Sequence, residues 1–349
     1  MNKKHYRILI ACILVCILTF SLFWWNERQK ASNTADQKDY RIEVLLKAYS
    51  RPPDFWQQVG QGIDAAEREF GVTCNITAPD SEGDVDVQIA LLREAIAKKP
   101  NAIILAACDY DLLAPVCKEA ADAGIRLLTV DSDVNFDGRA CFVGTDNYEM
   151  GNKLAQLLKD EIGETAPFGV VSHVAGTSTS AQRLAGLMEN TPNADTRMVE
   201  LAYCDGYVNY AKQLALRMLR EHPELKCLVA LNESSALGSA NAIEELGLAD
   251  TVSLVVCDSS EKQLHYLESG TIKACVVQNP FSMGYLSVAN AVKLLDRQGV
   301  EPVVFTDSIV VRKENLNIAS VQQLIIPFVH REPVPLVPYV SPPPAQRPS

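Results

Sequence analysis

Short apolar runs alternate with amphipathic stretches along most of this chain, and the alternation predicts its architecture. The apolar run at residues 42–46 precedes a stretch with apolar residues at helical spacing from Phe55 to Phe70, and this pair of patterns then recurs. Such alternation with short connections is typical of parallel strands with helical crossovers. Because the pattern begins again after residues 141–144, we predict an α/β fold with two doubly wound parallel-sheet lobes.

The polar ends of the strand-like runs predict a binding site. Four runs end on a side chain that can hydrogen-bond a ligand, namely Asp131, Asn232, Asp258 and Gln278. In open α/β sheets, ligands bind just beyond the carboxyl ends of the strands. The alternatives are helix caps for Asp131, Asn232 and Asp258, and a turn for Gln278. No nucleophile elbow or Walker loop accompanies these residues, so we predict a binding protein and not an enzyme.

Net charge and cysteine spacing limit the possible partners. The formal charge of −11 argues against nucleic acid, which needs a basic surface. The ten cysteines show no CxxC or Cys/His metal-ligand spacing, so we expect no metal and no cofactor. Several lie inside strand-like runs, where thiols behave as small hydrophobes. Free thiols in the core are therefore expected, with one or two disulfides as the alternative.

The N-terminal region predicts a location outside the cytoplasm. An uncharged, mostly apolar run of 18 residues at 8–25 follows a basic segment at 1–7 and precedes a polar linker at 26–39. This length is near the minimum for a spanning helix and exceeds the usual core of a cleaved signal peptide. The basic segment favours a cytoplasmic N-terminus. We therefore expect an uncleaved membrane anchor, with cleavage or lipidation at Cys12 as the alternative.

The C-terminal segment, residues 329–349, is rich in proline. Proline cannot donate to a sheet and favours an extended polyproline form. We expect a disordered tail, with the docking of a partner as the alternative.

A series of short motifs runs through residues 40–328 in a fixed order. They are DFW at 54–56, LTVD at 128–131, VGTDN at 143–147, AGTS at 175–178, LNE at 231–233, VCD at 256–258 and VQNP at 277–280. In this order they resemble the type I periplasmic solute-binding proteins of the ribose- and galactose-binding group. That group shares its fold with the ligand domain of lac-repressor-type regulators. Each motif is weak alone, and the series is specific for the family but not for a ligand.

The resemblance implies two lobes joined by a three-segment hinge, with a ligand cleft between them. The N-terminal lobe would comprise residues 40–145 plus 279–305, and the C-terminal lobe 146–278 plus 306–328. It implies capture of a small sugar or related polyhydroxylated solute by lobe closure, with delivery to the permease of an ABC importer. A sensory receptor that signals through a membrane histidine kinase or chemoreceptor is the alternative. A regulator would need a helix-turn-helix where this chain has its apolar run.

The resemblance also assigns roles by position. Phe55 and Trp56 correspond to aromatic residues that sandwich the sugar ring, and core packing is the alternative, especially for Phe55. The four strand-end residues correspond to the groups that bind the sugar hydroxyls. Carboxylates suit this role because they accept charge-assisted hydrogen bonds, and amides because they both donate and accept.

Four positions depart from the ribose-type pattern, and two of them, Pro53 and Ala106, stand where the family carries asparagines. Ser132 and Ala181 stand where the family carries arginines, and the loss of two guanidinium groups removes rigid donors. Ribose itself is therefore not expected as the ligand. We expect Asp109, Ser132 or Gln182 to fill part of the site instead.

Overall fold

The computed structural model describes residues 39–49 and 55–325. The segments predicted as an anchor and as a disordered tail lie outside these residues. In the described part of the chain, no helix combines the length and the apolar character needed to cross a membrane. The strands there are β1 (Arg41–Leu45), β2 (Thr73–Thr77), β3 (Ala102–Leu105), β4 (Arg126–Val130), β5 (Cys141–Thr145), β6 (Phe168–Ser172), β7 (Met198–Tyr203), β8 (Cys227–Ala230), β9 (Ser253–Cys257), β10 (Ala274–Val277), β11 (Val303–Thr306) and β12 (Ile309–Val311).

The helices alternate with these strands, as the hydrophobic pattern predicts. They are α1 (Phe55–Phe70), α2 (Val85–Ala97), α3 (Ala114–Asp122), α4 (Asn147–Ile162), α5 (Ser178–Glu189), α6 (Ala194–Arg197), α7 (Val208–Glu221), α8 (Glu233–Leu246), α9 (Glu261–Ser269), α10 (Pro280–Leu295) and α11 (Ala319–Ile325).

The strands form two six-stranded sheets, one for each lobe. The N-terminal sheet has the order β11-β5-β4-β3-β1-β2, and its strands are all parallel. The C-terminal sheet has the order β12-β10-β9-β8-β6-β7. It is parallel except for β12, which pairs antiparallel with β10 at the edge. The predicted fold of two parallel-sheet α/β lobes is confirmed.

Each sheet is buried on both faces, which explains why the strands are continuous apolar runs. In β3, Ala102 and Ile104 belong to one apolar cluster of the N-terminal lobe, whereas Ile103 and Leu105 belong to another on the opposite face. In β8, Leu228 and Val229 divide in the same way between the two clusters of the C-terminal lobe. Successive strand residues point to opposite faces, so the pattern follows from helices packing on both sides.

The chain passes between the two sheets three times. It leaves the N-terminal sheet after β5, returns after β10, and crosses again between β11 and β12. The carboxyl ends of the strands in both sheets therefore lead into connections near the junction of the lobes.

Each lobe contains a helix pair in which two glycines allow close backbone contact. A Cβ atom on Gly62 in α1 would lie 2.0 Å from the carbonyl oxygen of Phe281 in α10, and one on Gly284 in α10 would lie 2.0 Å from that of Val59. In the C-terminal lobe, Gly151 of α4 and Gly186 of α5 make the same kind of approach. The larger side chains of other residues would force these helices apart.

The eight cysteines of the described residues are free thiols, and all but Cys74 are fully buried. Burial raises the pKa of these groups, for example to about 12 for Cys204 and to about 11 for Cys141. High pKa values keep thiols protonated and unreactive at neutral pH. The expectation of free core thiols is confirmed.

The glycine contact predicts a large effect of one methyl group. Gly284→Ala should lower the free energy of unfolding by about 1–3 kcal/mol, because the helices must separate to admit the Cβ atom. Gly299→Ala is the matched control, since a Cβ atom there would meet nothing within 4 Å. Urea denaturation measures both. Equal stability of the two variants would contradict the close packing of α1 and α10.

Candidate ligand site between the lobes

A cavity of about 330 Å³ lies between the lobes, at the carboxyl ends of both sheets. This is the lower end of the range for small-molecule sites, about 300–1,000 Å³. Polar and charged side chains from both lobes line it together with three aromatic residues, Phe55, Trp56 and Tyr207. Those from the N-terminal lobe include Lys47, Phe55, Trp56, Glu82 and Asp131, and those from the C-terminal lobe include His173, Thr179, Arg183, Asn232, Glu233, Asp258 and Gln278.

A buried ion pair forms the N-terminal side of the cavity. Lys47 follows β1, Asp131 follows β4, and Lys47 Nζ lies 3.1 Å from Asp131 Oδ2 with both side chains at most 4% exposed. Burial lowers the pKa of Lys47, but the carboxylates of Asp131 and Glu82 outweigh it and leave that pKa raised. The ammonium group also lies 5.5 Å from the centre of the Trp56 ring, within cation–π range. Lys47 therefore remains charged against the wall of the cavity.

The two neighbouring aromatic residues, Phe55 and Trp56, are held in different ways. The indole N–H of Trp56 donates to Glu82 Oε1 at 2.9 Å, and the ring is only 4% exposed. Phe55 is half-buried and meets Trp56 edge-on, with ring centres 5.0 Å apart. The sequence favours Trp56 as the stacking residue. In the structure, Phe55 presents the more open ring.

A second buried carboxylate, Asp258, forms the C-terminal side. Its Oδ1 accepts from Gln278 Nε2 at 2.6 Å, and its Oδ2 accepts from the backbone N–H of Glu233 at 2.9 Å. Burial raises the pKa of Asp258, although nearby Arg183 and the Gln278 hydrogen bond act in the opposite direction. This carboxylate has amide donors but no directly bonded cation among the described residues.

The structure shows which of the polar residues at the strand ends cap a helix and which line the cavity. Asn232 does both: it lines the cavity and caps α8, with Oδ1 accepting from the N–H of Ser235 at 2.9 Å. Asp258 does not cap the helix that follows it, because Ser260 caps α9, although its Oδ2 accepts from the N–H of the first residue of α8. Asp131 is followed by a stretch without helix. Both aspartates adopt left-handed backbone, with φ of 60° and 72°, a conformation that aspartate tolerates better than most residues. The alternative that these two aspartates cap the helices following them in the chain is therefore wrong.

Three predicted residues lie away from the cavity lining. Asp109 Oδ1 accepts from the backbone N–H groups of Asp111 and Leu112, at 2.9 and 2.7 Å, within its own loop. Ser132 is buried, with its Oγ 3.3 Å from Ser178 Oγ. Gln182 is exposed on α5. The structure therefore does not bring these side chains to the site that the strand-end residues form.

Arg183, a residue not predicted for the site, lines the cavity. Its Nε donates to Asn147 Oδ1 at 2.8 Å and one of its terminal nitrogens donates to the carbonyl oxygen of Leu231 at 2.6 Å. It thereby joins α5, α4 and the end of β8. Its guanidinium group fixes the connection from which Asn232 projects.

Three cavity-lining residues have buried polar atoms without a hydrogen-bond partner among the described residues. They are Glu82 through Oε2, His173 through Nδ1 and Gln278 through Oε1. A buried polar atom left unpaired costs about 1–3 kcal/mol. All three residues belong to the cavity lining, so the cavity is bordered by polar groups whose hydrogen bonds are incomplete within the described residues.

The two lobes touch directly around this cavity. Tyr110 N–H donates to the carbonyl oxygen of Gly176 at 2.8 Å, and Ser81 Oγ donates to that of Asp205 at 3.1 Å. The backbone N–H of Asp133 donates to Ser178 Oγ at 2.8 Å. Each bond joins residues of different lobes, so the structure is a closed arrangement.

No cluster of three or more histidine, cysteine, aspartate or glutamate side chains with metal-binding geometry is found in residues 39–49 and 55–325.

The buried ion pair predicts a strong effect of losing one charge. Lys47→Met should lower the free energy of unfolding by about 3–5 kcal/mol, because Asp131 then stays buried without its countercharge. Combining it with Asp131→Asn should recover most of that loss. The control is Lys118→Met, which removes a pair with both side chains 65% exposed and should cost at most about 1 kcal/mol. Thermal or urea denaturation measures both variants. An equal loss of unfolding free energy in Lys47→Met and Lys118→Met would contradict the burial of the Lys47–Asp131 pair.

Comparisons with known proteins agree with this geometry. The family model for the periplasmic binding protein domain matches residues 42–299. The chain is 27% identical over 271 residues to the D-ribose/D-allose-binding protein of Pseudomonas aeruginosa, covering 75% of this chain and 84% of that protein. It is 29% identical over 251 residues to the D-allose-binding periplasmic protein of Escherichia coli, covering 69% and 80%.

Solved structures show the same fold. A carbohydrate transporter solute-binding protein from Agrobacterium radiobacter, in complex with D-arabinose, superposes with a TM-score of 0.78 at 27% identity, covering 83% of this chain and 100% of that one. A sugar transporter from Clostridium phytofermentans gives a TM-score of 0.75 at 33% identity, covering 79% and 100%. The chain therefore belongs to the periplasmic binding protein family, in its type I, ribose-binding-like group, and is a binding protein and not an enzyme.

Proposed function

We propose that this protein captures a monosaccharide or closely related polyol between its lobes and delivers it to an ABC importer. The observation that carries the proposal is the set of unpaired buried atoms at the cavity wall: Glu82 Oε2, His173 Nδ1 and Gln278 Oε1. Carboxylate and amide oxygens can only accept, so their partner must donate. A sugar presents several hydroxyl donors within a volume that suits a cavity of about 330 Å³.

The charged groups support a neutral, hydroxyl-rich ligand. Asp131 already pairs with Lys47, and Asp258 already accepts two amide hydrogen bonds. Ligand hydroxyls add to these networks without bringing a charge that must be compensated. Charge-assisted hydrogen bonds to such carboxylates are about twice as strong as neutral ones, so they contribute much of the affinity.

The half-buried ring of Phe55 supplies the apolar contact in this proposal. Trp56 supports it edge-on and is itself fixed by Glu82 and Lys47. A sugar ring has an apolar C–H face that packs on an aromatic surface, while its hydroxyls reach the polar groups around it. Phe55 N–H also lies 3.4 Å from Glu233 Oε2 of the other lobe, so the aromatic wall takes part in closure.

The names of the relatives narrow the class of ligand. The two relatives reported above are named for D-ribose and D-allose, and the Agrobacterium radiobacter structure is a complex with D-arabinose; these three sugars are aldoses of five or six carbons. Lys47, Arg183 and Lys262 are the cationic residues of the described chain that line the cavity, whereas Ser132 and Ala181 occupy the positions of the family's arginines. We therefore expect an aldose other than ribose as the preferred ligand.

Attachment to the membrane is part of the proposed function. Residues 8–25 would hold the binding lobes at the outer surface of the membrane, close to the permease. If they form an uncleaved anchor, washed membranes should contain the full-length chain, and alkaline carbonate should not release it. Recovery of a soluble form that begins near residue 30, or a lipid on Cys12, would contradict the anchor while leaving the sugar site intact.

Loss of the Asp258 charge should weaken sugar binding. Asp258→Asn keeps a residue that tolerates left-handed backbone but loses charge-assisted hydrogen bonds worth about 1.5–3 kcal/mol each. Affinity for the tightest-binding aldose should therefore fall at least about tenfold. Calorimetric titration of the full-length protein measures this, and uptake of the labelled sugar by cells should fall in parallel.

The control for this experiment is Asp250→Ala, which changes an exposed aspartate of the same lobe. It should bind the sugar like the wild type. Unchanged affinity in Asp258→Asn would contradict the site, and a wild-type protein that binds no aldose would contradict the proposed ligand class.

A further inference from the structure

His173 is a buried histidine in the cavity lining whose role the resemblance does not assign. It follows β6, which ends at Ser172, and it is 1% exposed. Its Nε2 lies 2.9 Å from Thr179 Oγ1 and 3.2 Å from Thr177 Oγ1. Its Nδ1 is buried and has no hydrogen-bond partner among the residues that the structure describes. A structural histidine would be expected to use both ring nitrogens.

The neighbouring hydroxyl groups determine which nitrogen carries the proton. Thr177 Oγ1 donates to the carbonyl oxygen of Val174 at 3.0 Å, so its own proton is committed. Thr179 Oγ1 donates to Thr177 Oγ1 at 3.3 Å. Because the Thr177 hydroxyl proton is committed, that oxygen can only accept from the ring, and we assign the ring proton to Nε2 on this ground. The unpaired Nδ1 is then the acceptor of a neutral imidazole.

The ring stays neutral in this environment. Burial lowers the pKa of His173 well below its ordinary value, and the positive charges of Lys47 and Arg183 lower it further. These two cations lie in different lobes and both line the cavity. They place His173 beside the groups that surround the proposed sugar site.

We propose that His173 is a ligand-contacting residue whose Nδ1 accepts a hydrogen bond from one hydroxyl of the sugar and so selects the configuration at that carbon. The inference rests on the proposed function, because it names a contact within the same site. It follows that a sugar lacking this hydroxyl, or presenting only an acceptor there, leaves Nδ1 unpaired and binds more weakly. His173 thereby adds to the selectivity for hydroxyl configuration that the strand-end carboxylates and amides provide.

Two substitutions separate the two ring nitrogens. In His173→Asn the side-chain amide occupies the position of Nδ1, whereas in His173→Gln it occupies that of Nε2. His173→Gln therefore keeps a partner for Thr179 but loses the proposed ligand contact. His265→Gln, on the exposed side of α9, is the control and should bind like the wild type.

The experiment is calorimetric titration of the full-length protein and these variants with the tightest-binding aldose and its mono-deoxy derivatives. We expect His173→Gln to lose at least tenfold in affinity for the parent sugar, and His173→Asn to lose less. One deoxy derivative should bind the wild type and His173→Gln equally well, and it identifies the selected hydroxyl. A folded His173→Gln that binds the parent sugar like the wild type overturns the inference alone.

A second measurement covers the case in which the variants fail to fold. The ¹⁵N resonances of the imidazole in the wild-type protein should show a neutral ring protonated at Nε2, and the Nδ1 resonance should shift when the parent sugar binds. An Nδ1 resonance that does not respond to the sugar overturns the inference. If the wild type binds no aldose, the proposed function fails as well. That outcome differs from an unchanged affinity of His173→Gln and from an unresponsive Nδ1 resonance, which overturn the inference alone.

Discussion

Two carboxylates buried at strand ends impose the constraint on which the rest of the cleft depends. Asp131 and Asp258 are 3% and 7% exposed, and an ionised carboxylate so far from water is unfavourable unless cations or hydrogen bonds compensate it. The N-terminal lobe compensates Asp131 with the ammonium group of Lys47, which Trp56 and Glu82 surround. The C-terminal lobe offers Asp258 only amide donors within hydrogen-bonding distance, and burial still raises its pKa. The two sides of the cavity therefore differ, and the C-terminal side depends more on donors that a ligand brings.

The unequal compensation of Asp131 and Asp258 connects the site to the lobe closure of the proposed function. In the closed arrangement the lobes exchange hydrogen bonds at the rim, such as Tyr110 to Gly176, while acceptors such as Gln278 Oε1 stay unpaired among the described residues. Closure without a ligand therefore carries an energetic cost that opening to water relieves. In the proposed function, a sugar that bridges both lobes would remove the cost and bind the closed form better than the open one, which is the only way in which a ligand can shift such an equilibrium. Binding and closure are then a single event.

The sequence predicts much of this arrangement because parallel sheets bring their strand ends together. Alternating patterns predict two α/β lobes, and the strand-end rule places Asp131, Asn232, Asp258 and Gln278 at one cavity. The same rule extends to Lys47 after β1 and His173 after β6, two residues that were missed because neither belongs to a familiar motif. Glu82 lies in a loop, where no periodicity predicts orientation. Asp109, Ser132 and Gln182 were expected in the site because the family's arginines are missing there. Such an argument says which donors are lost but not which side chains replace them, and one of the cations that line the cavity, Lys47, comes from a distant strand.

Small-angle X-ray scattering of the full-length protein, with and without a saturating aldose, tests the central claim most directly. If the sugar supplies the donors that the closed cavity requires, the radius of gyration of the sugar-bound protein should be smaller. The sugar-bound profile should also match the closed arrangement over residues 39–325 better than the ligand-free profile does. Adding the sugar to Asp258→Asn at the same concentration should produce a smaller contraction. A sugar that binds with wild-type affinity and leaves the scattering profile unchanged would contradict the account, because binding would then not depend on bringing the two lobes together.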